Sequence, residues 1–387
     1  MPVSIDHVVI GGGPAGSIAA LRLAAAGRET ALLEKQPGPH DKVCGEFLSA
    51  EALGYLHRLG IDPQALGAHS IQQVRLHSGH KCAQTALPFQ ALSLSRRILD
   101  EALLEKAKSA GCDVHRGAFV EKLHPNADGF SIRLRGGQTI QAGNVFLATG
   151  KHDLTELPRD RGTHSNLVGF KMYWQLAPQS TEAIRHTMEL FLFRRGYGGL
   201  ALVENDIANL CFVIHQRRMR ALGGWPELLS ALRDEVPGID PLLHNATQCW
   251  TKPLAISPIP YGYTAQLSDG IWRIGDQAAV IPSFTGDGMS IAIHSAELAA
   301  EMFLSGNTPG ECLARLHTQL HTGMRFATFL SRAMVTSTGR MFAPAVLSLV
   351  PGTFSWIARH TRIPEQALQT QGRANSTTDD HLPVSTA

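Results

Sequence analysis

The stretch IDHVVIGGGPAGSIAALRLAAAGRETALLEK, residues 5–35, limits the folds open to this chain more than any other. Residues 5–10 are a short apolar run with strand character. A glycine turn follows, and then Ala and Leu recur at helical spacing until Gly27 ends the helix as a C-cap. ETALLEK reads as a second buried strand. Strand, turn, helix and strand in this order supply the context that makes a bare glycine triplet a dinucleotide fingerprint. Gly11 permits the tight turn, Gly13 lets backbone approach a pyrophosphate, and Gly16 lets the helix pack on the strand. Pro14 and Ala15 carry the chain into the helix, whose first N–H groups and positive dipole end suit a phosphate. Glu34, 21 residues after Gly13, ends the second strand with Lys35 beside it. Its carboxylate is placed to accept both hydroxyls of an adenosine ribose. NAD and FAD both satisfy this pattern.

With 387 residues and 44% apolar content, the chain has room for two domains around substantial cores. The 35 Lys and Arg nearly balance the 33 Asp and Glu, without a long charge run, which excludes an electrostatic footprint for nucleic acid. The six cysteines are scattered with no C-x-x-C pair, so a disulfide framework and a zinc ribbon are not expected. The start, MPVSIDHVVIGGG, shows no basic leader, and a cytoplasmic location is expected. MFAPAVLSLVPGTFSWIA, residues 341–358, is broken by Pro344, Pro351 and Gly352 and falls short of the ~20 residues of a spanning helix. The ordinary reading is a helical pair closing the core. Its flanking Arg340, Arg359 and Arg362 leave open peripheral contact with a membrane, or a cap over an apolar cavity.

Further along, SAEALGYLHRLG reads as a helix from Ser49, and IQQVRLHSGHKCAQTALP as a hairpin turning near Ser78–Gly79. SRRILDEALLEKAKSAG is an amphipathic helix. GNVFLATG ends a strand-rich stretch with a run suited to a parallel sheet. Residues 166–267 change character, with alternating strands at GFKMYWQL, MELFLF and ANLCFVIH around a helix at WPELLSALRDEV. In the first of these, Phe170, Met172 and Trp174 alternate with Lys171, Tyr173 and Gln175. One face is expected in a core; the other lines a cavity or meets water.

WRIGDQAAVIPSFTGDGMSIAIHSAE, residues 272–297, separates NAD from FAD. It resembles the second FAD fingerprint of the aromatic hydroxylase and geranylgeranyl reductase superfamily of FAD-dependent oxidoreductases. There a strand ends in Gly-Asp, whose Asp contacts the ribityl chain, and a Pro, Gly-Asp-Gly loop enters a helix under the flavin. Gly275, Asp276, Pro282, Gly286, Asp287 and Gly288 match those positions, with Met289 next in the helix. Helix N–H groups there suit the negative charge that reduced flavin carries. SLSRRILDEALL resembles the family's Arg-x-x-Leu-Asp helix, in which Arg96 approaches the cofactor and Asp100 is structural. The resemblance implies tight, noncovalent FAD, with NADPH or NADH as a transient reductant. It also implies an α/β fold: an FAD-binding Rossmann-like domain (1–165 and 268–325, with a hairpin at 70–92 joining the substrate domain) and an inserted antiparallel β-sheet substrate domain (166–267). A helical C-terminal cap (326–370) and a flexible tail (371–387) complete it. Where aromatic hydroxylases carry an Asp-Gly motif serving FAD and NADPH, this chain has Gly150-Lys151-His152-Asp153.

The same resemblance places Cys44 and Gly45 at the flavin face and Glu46 where many members carry a second glycine. Cys44 is then a candidate proton donor to a substrate carbon, with Glu46 as the accompanying candidate catalytic residue. The alternative for Cys44 is a small residue packed under the ring. Metal sites at His77, His80 and Cys82, or at His317 and His321, lack further ligands, and no metal is expected. Ser290 in a G-x-S-x-A frame is explained by the flavin loop rather than by a hydrolase, and the halogenase Trp-x-Trp-x-Ile-Pro signature is absent. The expected function is an FAD-dependent reductase or dehydrogenase acting on a hydrophobic small molecule. An FAD-dependent monooxygenase hydroxylating an aromatic or polyketide-like substrate and a non-catalytic prenyl-binding escort protein are the alternatives.

Overall fold

The computed structural model describes residues 3–266, 269–349, 352–364 and 366–368. The expected tail, 371–387, lies outside the described residues, as does residue 268, where the second FAD-domain segment was expected to begin. The described residues build two large sheets and a two-stranded one, Tyr263–Thr264 with Ala279–Val280. In the first, strands Asp113–Arg116, Thr30–Glu34, Val3–Ile10 and Thr139–Leu147 run parallel in that spatial order, and Trp272–Arg273 adds parallel to the last. Gly129–Leu134 and Val120–Asn126 extend it antiparallel. Burial on both faces explains the unbroken apolar runs: all five residues of Thr30–Glu34 are buried, as are Val8, Val9, Val145 and Phe146.

The fingerprint helix, Pro14–Ala25, packs between this sheet and two other helices, Arg96–Ser109 and Gly288–Leu304. Its glycines differ in what they permit. A Cβ on Gly16 would sit 1.8 Å from the Gly11 carbonyl oxygen, and one on Gly11, where φ is +112°, would sit 2.4 Å from the Ala148 carbonyl oxygen. Neither backbone oxygen can yield, so both glycines are required for packing. A Cβ on Gly13 would meet only side-chain tips, Arg96 Nη2 at 3.2 Å and Lys42 Nζ at 3.7 Å.

The second sheet holds the antiparallel strands Leu167–Gln175, Ile207–His215, Gly196–Val203 and Thr187–Phe193. The hairpin of His69–Ser78 and Lys81–Ser93, turning at Gly79 with φ +57°, continues this sheet, its first strand parallel to Thr187–Phe193. Period-two alternation gives each face a distinct role. Phe170, Met172, Trp174, Leu210 and Phe212 form one core with the helix Trp225–Glu235; the Trp225 indole stacks on Phe212 at 5.8 Å. The opposite face pairs Lys171 with Cys211 and Tyr173 with Asn209 across adjacent strands, and turns them toward the first domain.

Helices Pro309–Met334, Ser337–Leu349 and Thr353–Thr361 close the molecule. The first is opened by a capping box between Thr308 and Glu311 and runs unbroken through residue 325. Pro344 stays inside the second helix instead of breaking it, and Gly352, at φ +90°, starts the third. Among the described residues no helix is long and apolar enough to cross a membrane.

Candidate active site

A cavity of about 420 Å³ runs along the carboxyl ends of the parallel strands, between the two sheets. One end is walled by Gly11, Gly13, Pro14, Ala15, Glu34 and Lys35; the other by Gly275, Asp276, Gly286, Gly288 and Met289. Cys44, Gly45, Glu46 and Arg96 lie between. Three residues expected at the cofactor are not on this wall. Gly16 is held inside the helix packing, and Pro282 and Asp287 are buried behind the loop they belong to.

The phosphate end is shaped for an anion. Gly13 caps the fingerprint helix with no side-chain cap and no acid in the first turn, so the helix N–H groups open onto the cavity. Arg96 and Lys42 reach toward the same spot and share Asp100: Arg96 Nε to Oδ1 at 2.7 Å, Lys42 Nζ to Oδ2 at 2.9 Å. Asp100 is buried, and the cations beside it outweigh burial and hold its carboxyl below the usual range. Glu34 accepts from the backbone N–H of Gly12 at 2.7 Å and of Gln36 at 2.9 Å, which fixes its carboxylate at the cavity wall.

At the other end, Gly288 begins a 17-residue helix whose first turn carries no acid, and a Cβ at Gly288 would meet open space. Gln277 donates to the carbonyls of Gly150 at 3.0 Å and His152 at 3.1 Å. The Gly150–Asp153 segment is thereby tied to the Gly275 turn, placing Lys151 3.3 Å from Asp276. Two helix N-termini open onto one elongated cavity, a cation pair stands over Gly13, and an acid stands at each end. This donor set fits FAD: Gly13, Arg96 and Lys42 would hold the pyrophosphate, Glu34 would hold the ribose, and Asp276 with the Gly288 helix would hold the flavin half.

Glu46 has a different place from that of a solvent-facing acid. It is wholly buried and adopts φ +59°, the left-handed region that a glycine occupies without strain. Its carboxylate receives the Lys171 ammonium, the Tyr173 hydroxyl at 2.9 and 2.8 Å, and the backbone N–H of Arg96 at 2.8 Å. Burial holds its carboxyl above the usual range, and the Lys171 charge and these donors offset only part of that rise. Lys171 is also wholly buried. The cluster anchors the Cys44–Gly45 wall to the second sheet, and Glu46 acts on the site by positioning it. Sequence reasoning did not single out Lys171 or Tyr173 as partners of Glu46. The signal was a lysine in the middle of an apolar strand, which needs a carboxylate wherever it is buried.

The Cys44 sulfur accepts from the Glu46 N–H at 3.3 Å and lies beside Arg96. Asn209 Nδ2 donates to the Cys44 carbonyl at 3.0 Å. Cys211 also lines the cavity; burial pushes its thiol up to about 12. A second, apolar cavity adjoins, lined by Phe89, Met188, Leu190, Tyr197, Phe354 and others, and shares Gly45, Phe47, Cys211, Ser283 and Gly286 with the first.

Comparison with known proteins agrees with this geometry. Residues 4–148 match the FAD binding domain model. The menaquinone reductase of Mycobacterium tuberculosis is 25% identical over 348 residues, covering 82% of this chain and 79% of that one. The digeranylgeranylglycerophospholipid reductase of Methanoculleus marisnigri is 25% identical over 350 residues, covering 81% and 79%. The flavin-dependent brominase Bmp2 shares the fold, with a TM-score of 0.76 over 97% of this chain and 99% of that one at 17% identity. The chain is an FAD-binding flavoenzyme of the oxidoreductase class. Its relatives at this level of identity include reductases and flavin-dependent halogenases, and none of them fixes the reaction of this chain.

Two outcomes follow for the site. Gly13→Val, whose new side chain meets movable side-chain tips and cavity, should yield folded protein without FAD, read as the 450 nm absorbance per chain. Gly16→Ala, which forces backbone apart, should instead lower stability by about 2–3 kcal/mol in thermal unfolding. Asp287 supplies a pH test. It is 1% exposed, and burial pushes its carboxyl up to about 7 despite Arg362 and the Thr285 and Thr361 hydroxyls nearby. Between its unfolded value of about 3.9 and about 7, the native protein holds a proton that the unfolded chain has released. Stability contributed by this group therefore falls as pH rises through that window. Asp287→Asn should flatten the decline and raise the melting temperature at pH 8 while changing it little at pH 4.

Proposed function

We propose that this flavoenzyme is a reductase, passing electrons from NADPH or NADH through FAD to a hydrophobic small molecule. The observation that carries the reading is the apolar cavity adjoining the cofactor cavity across the Gly45–Cys211–Gly286 seam. A substrate there lies against the cofactor site while its apolar body meets Phe89, Met188 and Phe354. The names of the two curated relatives support reduction. The six free thiols among the described residues suit a cytoplasmic setting.

When bound, FAD supplies hydride transfer. The rest of the work falls to the chain. The aromatic and aliphatic wall excludes water from the seam. Asn209, on the wall of the apolar cavity, donates its amide N–H to the Cys44 carbonyl and so ties the substrate sheet to the cofactor wall. Reduction of a carbon–carbon double bond needs a proton as well as a hydride. The Cys44 thiol on the cofactor wall, oriented by the Glu46 N–H and flanked by Arg96, is the group assigned to donate it. Lys35 and Lys151 at the rim offer positive charge to the phosphates of a nicotinamide that docks transiently, since a single dinucleotide turn serves the FAD.

Cys44→Ser should retain FAD and its reduction by NADPH or NADH, while slowing reoxidation of the flavin by a prenylated quinone or similar acceptor by roughly 10²-fold. Anaerobic stopped-flow absorbance reads both half-reactions. Unchanged reoxidation would remove Cys44 as donor. Reoxidation that requires oxygen and places oxygen in the product would replace reduction with hydroxylation.

A further inference from the structure

The C-terminal helices carry an outer surface that the proposed reaction does not use. Between Glu311 and Glu365 the sequence has six arginines and no Asp, Glu or Lys. Three of those arginines turn inward: Arg362 pairs with Glu51 at 2.8 Å, Arg340 lies 3.8 Å from Glu235, and Arg315 faces Glu301. The others are exposed. Arg325, Phe329 and Arg332 fall at successive turns on one face of Pro309–Met334, and Trp356, Arg359 and His360 on one face of Thr353–Thr361. Phe326 and Trp356 meet edge to face at 5.3 Å and join the two faces. Arg359 bonds only to its own helix backbone, and neither it nor Arg325 has an acidic partner among the described residues.

The apolar side chains among these arginines are unusually bare. Phe329 is 69% exposed, Met341 55%, Phe342 52% and Trp356 51%. Isolated exposed apolar residues are ordinary, but several large ones on adjoining helices, set among unpaired arginines, mark an interaction surface. The charge identifies the occupant. A surface with cations and no anions complements a negative one, and large apolar tips with a tryptophan between them suit the headgroup–acyl boundary of a bilayer.

We propose that this face docks the enzyme on an anionic lipid bilayer. Thr353–Thr361 then acts as a wall one helix thick: Trp356 and Arg359 meet lipid, while Phe354, Ala358 and the following Arg362 line the apolar cavity on the other side. Docking rests on the outer surface alone. Only its consequence, that a hydrophobic substrate reaches the cavity from the bilayer without crossing water, rests on the function proposed above.

The test is cosedimentation of the FAD-loaded full-length protein with vesicles of phosphatidylcholine alone or with 30% phosphatidylglycerol. Binding is expected only to the anionic vesicles and should weaken as salt is raised. Arg325→Gln and Arg359→Gln should each weaken it about fivefold, and Phe329→Ser with Trp356→Ser should abolish it with flavin absorbance unchanged. Lipids with brominated chains should quench Trp356 fluorescence, measured as the difference from Trp356→Phe. Equal binding to both vesicles, no binding to either, or a stable dimer dissolved by Phe329→Ser would overturn the proposal. Reoxidation of flavin by detergent-dispersed acceptor should survive Phe329→Ser with Trp356→Ser, so loss of docking and failure of the reductase reading give different results.

Discussion

The Glu46–Lys171 ion pair holds the two halves of this protein in functional register. Both side chains are fully buried, and each is affordable only because the other is there. Glu46 belongs to the loop leaving the second fingerprint strand; Lys171 belongs to the first long strand of the substrate sheet. Joining them pins the Cys44–Gly45 wall where the cofactor and apolar cavities meet. The left-handed backbone at Glu46 shows what this costs, since a glycine would take that conformation freely but offer Lys171 no partner.

Around this pin the charges are arranged in sequence along one groove. Arg96 serves at two levels: its backbone N–H binds Glu46, and its guanidinium, tethered by Asp100, stands over Gly13 beside Cys44. The first helix turn after Ser95 therefore links the pyrophosphate end to the seam, and a shift at either would be felt at the other. The substrate sheet adds to the same surface, because period-two alternation puts Lys171, Tyr173, Asn209 and Cys211 on a single face. Its other face is an aromatic core that keeps this grid rigid.

Much of the cofactor end was legible because its constraints are local. A turn that excludes Cβ atoms and a strand that ends in an acid leave marks within a few residues, as Gly11, Gly16 and Glu34 show. The seam was legible only in part. Cys44 was reached through family resemblance, whereas Lys171, Asn209 and Cys211 come from strands 125 or more residues away from their loop partners, and no local pattern encodes such pairings. The alternating strand at 170–175 left open what its second face met, since Lys171 and Tyr173 are buried not in an apolar core but against the distant Glu46 carboxylate. Asp287 sits within the second fingerprint yet points away from the cavity, a matter of side-chain direction in a loop that spacing does not determine.

A double-mutant cycle on Glu46 and Lys171 tests the central claim most directly, with urea unfolding of the cofactor-free protein as the readout. Lys171→Met alone should cost about 3–5 kcal/mol by leaving a buried carboxylate unpaired. Adding Glu46→Gln to it should recover most of that loss, giving a coupling of several kcal/mol between the two sites. Costs that simply add would contradict the account: the pair would then not be what holds the two domains at the seam.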